Sequence, residues 1–350
     1  MASVTEKEIK EQYLAWEAVL RDFQNGFEGI GNVVNEPDSS EFVFIGCGTS
    51  FYLALSAASV FQAVTGKRAR AVTASDVFLY SDTLFSKSGN FLGIPISRSG
   101  ETTETIWAAR YLKDKLDIPT LALSCNSDSK LAGFCDHKLI AEKAAEKSVV
   151  MTKSFTSMLL IVQLLAAAKS KNKQLLSELS RLPAQGKAVI ENFENIAKKA
   201  AQNQNVDHLV FLGQGPYYGL ASEAMLKMRE MSLTFSEAYH SMEYRHGPIS
   251  TLNEKTLAVF LMSESSKAQE IKLLKEVKKL GAKTLVICEN LPSSEKSSAD
   301  YLVALESSLS DYARLILYMP VIQMMGYYRA IHKEINPDNP RHLTQVVVLD

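Results

Sequence analysis

The stretch from residue 223 to residue 248 concentrates acid and base side chains. Within it, Glu223, Lys227 and Glu230 are spaced at i, i+4 and i+7, so a helix would carry all three on one face. A carboxylate in such a set can move a proton between adjacent carbons, while an ammonium group polarises a nearby carbonyl. The same spacing is typical of an exposed ladder of Glu–Lys pairs, so both interpretations stay open. A loop-like stretch that follows adds Glu237, His240, Glu243, Arg245 and His246.

Two turns rich in glycine and hydroxyl groups could bind an anion. Each ends an apolar run and opens a helical segment, which is where free backbone N–H groups collect. The residues that could contact a ligand are Gly46, Cys47, Gly48, Thr49 and Ser50 in the first turn, and Ser97, Arg98, Ser99 and Thr102 in the second. Hydroxyls and amides together suit a tetrahedral oxyanion, and Arg98 could add a positive charge.

The alternative for these turns is ordinary helix capping, the commonest role of Ser and Thr at such positions. Two such turns at adjacent strand ends favour the anion site. Neither matches the G-x-x-x-x-G-K-[ST] pattern of a P-loop or the G-x-G-x-x-G pattern of a dinucleotide fold. We therefore expect no nucleotide and no cofactor.

Short apolar runs alternate with helical segments along the chain, which predicts an α/β fold with parallel, doubly wound sheets. The plan occurs twice, because Gly213 lies 167 residues after Gly46, Ser263 lies 166 after Ser97, and Cys288 lies 163 after Cys125. We expect two tandem, flavodoxin-like α/β/α sandwich domains. The first spans residues 1–170 with a lead-in helix over 7–34, a helical connector spans 171–205, and the second spans 206–350.

The matching turns of the second half, 214–217 and 263–266, carry fewer hydroxyls, and Glu264 would repel an anion. We expect one half to bind the anion and the other to supply chemistry.

Composition limits the partners. The 350 residues are 46% apolar and 22% charged with a net charge of -1, so no strong field gathers nucleic acid or an anionic membrane. The four cysteines form no C-x-x-C or zinc pattern, which indicates reduced thiols, no metal and a cytoplasmic protein. The N-terminus is too charged for a secretory signal, and the apolar stretch 158–168 is far shorter than the ~20 residues of a spanning helix.

A set of motifs in order resembles tandem SIS (sugar isomerase) proteins, including the isomerase half of glucosamine-6-phosphate synthase and stand-alone SIS-type glucosamine-6-phosphate deaminases. The motifs are CGTS at 47–50, SRSGET at 97–102, MTKSFTSML at 151–159, LKMREMS at 226–232, SEAY at 236–239, RHGP at 245–248 and the tail NPDNPRHLTQVVVLD at 336–350. They cover the chain from about residue 41 onward.

This resemblance implies roles for individual residues. Phosphate would be held by the 47–50 turn and by Ser97, Arg98, Ser99 and Thr102. Glu230 would move the proton between the first two sugar carbons, with Lys227 as a polar contact beside it. His246 would open the sugar ring and reach into the partner subunit's site, which implies a homodimer.

The chain departs from the synthase pattern in three ways. No N-terminal cysteine nucleophile of a glutaminase domain is present. Arg98 stands where the synthase has glutamine, and Gln345 stands where the synthase has the tail lysine that engages the sugar carbonyl. These departures favour isomerisation or deamination over amino transfer.

We therefore expect an aldose–ketose isomerase or deaminase that acts on a 6-anionic hexose, glucosamine 6-phosphate or another hexose 6-phosphate, through an enediol. Three alternatives remain: a sulfoquinovose isomerase, a fructosamine-phosphate deglycase and a non-catalytic sugar-phosphate sensor. A sensor would bind the sugar without turnover, and its binding would not depend on Glu230.

Overall fold

The computed structural model describes residues 3–26 and 41–349. These residues divide into two compact units, each built on one five-stranded sheet. The described residues within Glu11–Pro183 and Thr344–Asp350 form what we call the first-sheet unit. Those within Met1–Lys10 and Ala184–Leu343 form the second-sheet unit.

The N-terminal helices belong to different units. α1 (Val4–Lys10) lies in the second-sheet unit, where the Asp338 carboxylate accepts hydrogen bonds from the first N–H groups of this helix, at 2.8 Å from Thr5. α2 (Gln12–Gln24) lies in the first-sheet unit, where Trp16 is fully buried and its Nε1 donates to Thr156 Oγ1 at 2.9 Å. The prediction of a single lead-in helix over 7–34 is therefore wrong, because the helix is interrupted at Glu11 between α1 and α2. Residues 27–34 of that prediction lie outside the described residues.

The first-sheet unit alternates strands and helices. Its strands are β1 (Glu41–Gly46), β2 (Arg68–Thr73), β3 (Phe91–Ser97), β4 (Leu121–Ser124) and β5 (His137–Ile140). Its further helices are α3 (Thr49–Thr65), α4 (Ala74–Leu79), α5 (Ser81–Leu84), α6 (Thr103–Leu116), α7 (Lys130–Phe134), α8 (Lys153–Lys169) and α9 (Lys173–Leu179). The strands pair in parallel in the order β2-β1-β3-β4-β5.

The second-sheet unit has the same plan. Its strands are β6 (His208–Gly213), β7 (Phe235–His240), β8 (Thr256–Leu261), β9 (Lys283–Cys288) and β10 (Tyr301–Ala304). Its further helices are α10 (Leu182–Ala201, which enters this unit at Ala184), α11 (Tyr217–Ser232), α12 (Lys267–Lys279) and α13 (Met319–His332). These strands are also parallel, in the order β7-β6-β8-β9-β10.

The predicted fold class is confirmed, because both sheets are parallel and flanked by helices. The central strands are continuous apolar runs since helices cover both faces: every residue of β3, β6 and β8 is buried. Each sheet places its second strand at one edge and its first strand beside the third. This shared order agrees with the duplication inferred from the sequence.

The expected domain boundaries at 170 and 205 stay a prediction. The first ten residues were expected in the first domain but belong to the second-sheet unit. The tail from Thr344 was expected in the second domain but belongs to the first-sheet unit. The cause is local bonding: Asp338 holds the start of α1, and the tail hydrogen-bonds within the first-sheet unit. Across residues 3–26 and 41–349, no helix has the length and apolar character needed to cross a bilayer.

Candidate functional site

The turn after β1 brings backbone very close to backbone. A Cβ at Gly46 would lie 2.4 Å from the carbonyl carbon of Ser50, so only glycine fits there. Gly48, with a φ of 52°, occupies the N-cap position of α3. Thr49 and Ser50 therefore stand in the first turn of the helix, buried, rather than at its cap. The ordinary capping interpretation does not describe these two hydroxyls.

The turn after β3 gathers three hydroxyl groups. Ser97 Oγ lies 3.1 Å from Thr102 Oγ1 and 3.5 Å from Ser99 Oγ, and it accepts a hydrogen bond from the Gly100 N–H at 3.0 Å. Thr102 is the N-cap residue of α6, yet its side chain makes no capping bond among the described groups. The hydroxyls are thus clustered with one another, as an oxyanion site requires.

β1 and β3 are hydrogen-bonded neighbours, with Ile45 opposite Pro95. Both turns consequently open at the same edge of the sheet, where parallel α/β folds bind ligands. The structure therefore brings together the 46–50 and 97–102 turns that the sequence proposed separately.

Arg98 differs from the sequence expectation. Its side chain is 9% exposed and lies 3.5 Å from the fully buried carboxylate of Glu146. The guanidinium donates to the carbonyl oxygens of Val149 at 3.0 Å and of Gln345 at 2.8 Å. Its charge is thus engaged by protein groups, so a direct role as an anion ligand remains only a prediction.

Gln345 belongs to the same network. Its Nε2 donates to the Glu146 carbonyl oxygen at 2.8 Å, and its own carbonyl accepts from Arg98. The next part of the tail is anchored at the start of α6, where Leu349 N–H donates to Thr103 Oγ1 at 3.0 Å. The tail therefore lies against the anion turn of the first-sheet unit, beside a cavity of about 300 Å³ that Ser99 also lines.

Glu146 is the organising residue that sequence reasoning missed. Its carboxylate accepts hydrogen bonds from the Thr152 N–H at 2.6 Å and from the Thr152 and Ser154 hydroxyls. It thereby fixes the approach to α8 and faces Arg98. The only signal was its position five residues before the MTKSF motif, in a segment that carried no pattern of its own.

The α11 cluster of Glu223, Lys227 and Glu230 is buried, not an exposed ladder. Lys227 Nζ lies 3.2 Å from Glu223 Oε1 and contacts Glu230 Oε2. The side chains of Lys227 and Glu223 are fully buried, and that of Glu230 is 18% exposed. Burial acts to lower the pKa of Lys227, but the two carboxylates outweigh it and leave the pKa raised. The cluster thus presents one partly accessible carboxylate backed by a permanent positive charge.

The residues after α11 form a strand, so the loop-like interpretation is wrong for Glu237 and His240. Both lie on β7, a strand that the sequence reading missed because its charged residues break the apolar pattern. Glu237 binds His208 Nε2 at 2.9 Å, and His240 stacks on Tyr218 with ring centroids 3.8 Å apart. Burial lowers the pKa of His240.

His246 lies apart from these contacts. It follows the short 3-10 turn Glu243–Arg245, and its side chain is exposed to solvent. An exposed imidazole at the end of a tight turn is available to a ligand or to another subunit.

The turn of the second-sheet unit that corresponds to 97–102 already holds an anion. The Asp311 carboxylate accepts from the N–H groups of Glu264 at 2.9 Å and Ser265 at 3.0 Å, and from the Ser265 hydroxyl at 2.9 Å. Glu264 turns away to pair with Lys267 at 2.6 Å. The expected repulsion by Glu264 is wrong, because this turn binds the chain's own carboxylate.

We searched the described residues for clusters of metal-ligating side chains and for reactive thiols. No group of three or more His, Cys, Asp or Glu side chains is placed to hold a metal ion within residues 3–26 and 41–349. The four cysteines are free, and burial raises the pKa of Cys47, the one within the anion turn. Cys47 is therefore a poor nucleophile.

These features define a class: a duplicated parallel α/β protein with two neighbouring hydroxyl-rich turns in its first-sheet unit and a buried Glu–Lys–Glu cluster in its second-sheet unit. The SIS domain model matches the chain twice, at residues 38–168 and 204–325. The chain belongs to the SIS domain family.

Three proteins of similar sequence or structure follow. A glucosamine-6-phosphate deaminase structure from Thermotoga maritima is 32% identical, with a TM-score of 0.80, over 99% of this chain and 100% of that one. A glutamine–fructose-6-phosphate aminotransferase (isomerizing) of Caldanaerobacter subterraneus subsp. tengcongensis is 27% identical over 98% of this chain, which spans 58% of that relative. The tagatose-6-phosphate ketose/aldose isomerase of Escherichia coli, 20% identical with a TM-score of 0.86, shares the fold over 100% of this chain and 96% of that one.

Proposed function

We propose that this protein is a sugar isomerase or deaminase whose substrate is a hexose with an anionic group on carbon 6. The observation that carries the proposal is the cluster of Ser97, Ser99 and Thr102 hydroxyls beside the Gly46 turn. The 263–266 turn supports it, because two N–H groups at the positions that correspond to Arg98 and Ser99 hold the Asp311 carboxylate there. We assign the 6-phosphate of the sugar to the hydroxyls and amides of the two first-sheet turns.

Proton transfer is assigned to Glu230. This carboxylate is 18% exposed and contacts a lysine that stays charged, so it can take a proton from one sugar carbon and return it to the next. Lys227 holds the carboxylate in position and offsets its charge. Because Lys227 is fully buried, we expect it to act through Glu230 rather than on the sugar directly.

Ring opening is assigned to His246, whose exposed position suits a reach into the partner's site in a homodimer. Three tests address this step. Sedimentation of the purified protein should give a dimer, and His246→Gln should slow turnover of the ring-closed sugar. Mixing the impaired His246→Gln with the impaired Glu230→Gln should restore part of the activity if the two residues serve one site across subunits. No restoration in exchanged dimers contradicts the shared site.

The choice between reactions rests on the tail. Gln345 carries an amide, which cannot form an imine with a sugar carbonyl as a lysine amine can. Its side chain is also engaged with the Glu146 carbonyl oxygen. We therefore favour isomerisation, or deamination of an amino sugar, over transfer of an amino group to a ketose.

The direct experiment is an assay of the full chain with glucosamine 6-phosphate and glucose 6-phosphate, following fructose 6-phosphate and ammonia. Formation of fructose 6-phosphate supports the proposal, and ammonia release identifies deamination. Galactosamine 6-phosphate, a fructosamine phosphate and sulfoquinovose complete the panel, each followed through its own product: tagatose 6-phosphate with ammonia, glucose 6-phosphate with the free amine, and the ketose sulfonate. Binding without turnover of any of them indicates a sensor.

Glu230→Gln separates catalysis from binding. We expect a loss of about 10³-fold in kcat, since general acid–base catalysis contributes on this scale, with sugar-phosphate binding retained. Glu191→Gln is the matched control, because the exposed Glu191 on α10 lies 3.9 Å from Lys187 and should leave turnover unchanged. Equal activity of Glu230→Gln and the wild type would remove Glu230 from the mechanism.

A further inference from the structure

The 263–266 turn of the second-sheet unit keeps one contact of the 97–102 turn, although both its sequence and its backbone differ: φ is −105° at Ser266 and +68° at Gly100. Ser263 corresponds to Ser97 at an offset of 166 residues, and each serine hydroxyl accepts from the N–H three residues ahead: Ser266 to Ser263 Oγ at 3.2 Å, and Gly100 to Ser97 Oγ at 3.0 Å. At that offset, the donors to Asp311 correspond to the N–H groups of Arg98 and Ser99 and to the Ser99 hydroxyl. The duplicated turn therefore keeps amide and hydroxyl donors at the positions of Arg98 and Ser99.

The occupant of this site comes from the chain itself. Asp311 lies 46 residues beyond Ser265, and its side chain is 12% exposed. Besides the three donors of the turn, its carboxylate contacts Arg314, whose side chain is 1% exposed. A carboxylate with two amides, one hydroxyl and a guanidinium around it has the environment of a bound ligand.

Two other carboxylates lie near Arg314, but each is held by another group and does not bind the turn in the place of Asp311. Glu289 lies 4.0 Å from Arg314 Nε and is itself bound by the Ser307 hydroxyl at 2.7 Å, while Glu264 lies 3.9 Å from Nη2 and pairs with Lys267. Removing the Asp311 carboxylate would leave the turn donors and the near side of Arg314 facing a space of carboxylate size. A free anion could enter it.

We propose that the turn at 263–266 is a working site for a small carboxylate or oxyanion, which Asp311 fills as an intramolecular ligand. The consequence is that the 263–266 turn is closed to the anionic group of a sugar. Of the two duplicated turns, 97–102 and 263–266, each copy of the chain then offers only the first to a sugar. This inference concerns a site outside the proposed catalytic groups. It does not depend on which sugar, if any, the protein converts.

The test is chemical rescue of Asp311→Ala with formate, which has the carboxylate that alanine lacks. We expect the variant to melt about 5 °C below the wild type, because charge-assisted hydrogen bonds to a buried group are lost. Titrated formate should then raise the Tm of Asp311→Ala in a saturable way and recover most of the loss, whereas sodium chloride at equal ionic strength should not.

Asp311→Asn is the matched control, since its amide still fills the space but cannot carry the charge. Its Tm should fall while formate has no more effect than on the wild type. If Asp311→Ala is recovered unfolded, refolding in formate but not in chloride supports the proposal. Equal responses of Asp311→Ala and the wild type to formate, or recovery in neither salt, overturn it. A missing sugar turnover would refute the proposed function and leave this readout untouched.

Discussion

Replacing Lys227 with methionine tests whether the α11 cluster is a buried ion group. Methionine keeps the length and apolar volume of the lysine stem and removes the charge. Glu223 then loses the ammonium group 3.2 Å away in a site with no solvent exposure. Breaking a buried ion pair by removing one partner costs about 3–5 kcal/mol. For a protein of 350 residues we expect the Tm to fall by roughly 4–7 °C.

The pH dependence of the loss is part of the prediction. In the wild type, the raised pKa of Lys227 means that its stabilising contribution is complete below the ordinary lysine pKa and is lost only in alkaline solution. This group therefore adds no slope between about pH 5 and about pH 8. In Lys227→Met the buried acid is expected to fold with a bound proton, so stability should fall as pH rises, by up to ~1.4 kcal/mol per pH unit.

Urea denaturation of the full chain at several pH values measures both effects. The double variant Glu223→Gln with Lys227→Met should recover much of the loss, because no fully buried charge is left unpaired and the remaining carboxylate, Glu230, is 18% exposed. Lys272→Met, at an exposed lysine of α12, is the control and should change stability by less than about 0.5 kcal/mol. A loss below about 1 kcal/mol for Lys227→Met, without a pH slope, would refute the buried cluster.

Three further predictions follow from other sites. Arg98→Lys should loosen the tail, raising hydrogen exchange of the amides at 347–349 about tenfold; unchanged exchange contradicts the anchoring role. Burial raises the pKa of Glu270 to about 7, so the protonated carboxyl stabilises the fold at low pH and this stability is lost as pH rises through about 7. Glu270→Gln should remove that pH-dependent loss of about 3 kcal/mol. An unchanged pH profile of the unfolding free energy would contradict a buried, protonated Glu270. Gly46→Ala should destabilise by about 3 kcal/mol and weaken phosphate binding, whereas Gly133→Ala, with open space at its Cβ, should not; similar effects refute the close approach.

Sequence patterns were sufficient for the fold class and for the location of the two hydroxyl-rich turns. Apolar runs bounded by glycine and hydroxyl residues are local features, and a parallel strand buried on both faces leaves an unmistakable run such as β3. The recurrence of Gly46 and Ser97 features at nearly one offset revealed the duplication, which the two matching strand orders bear out. Strand β7 was missed because its core-facing and polar residues do not form such a run.

Only the tertiary structure decided how the charged residues are used. The spacing of Glu223, Lys227 and Glu230 fits an exposed ladder and a buried cluster equally well. Only the packing of α11 against its neighbours buries the cluster. The partners of Arg98 include a tail residue 247 positions away, and the anion in the second-sheet turn is Asp311, 46 positions beyond Ser265. Helical and strand periods are set by neighbouring residues, whereas burial and the choice of ionic partner depend on segments that only folding brings together.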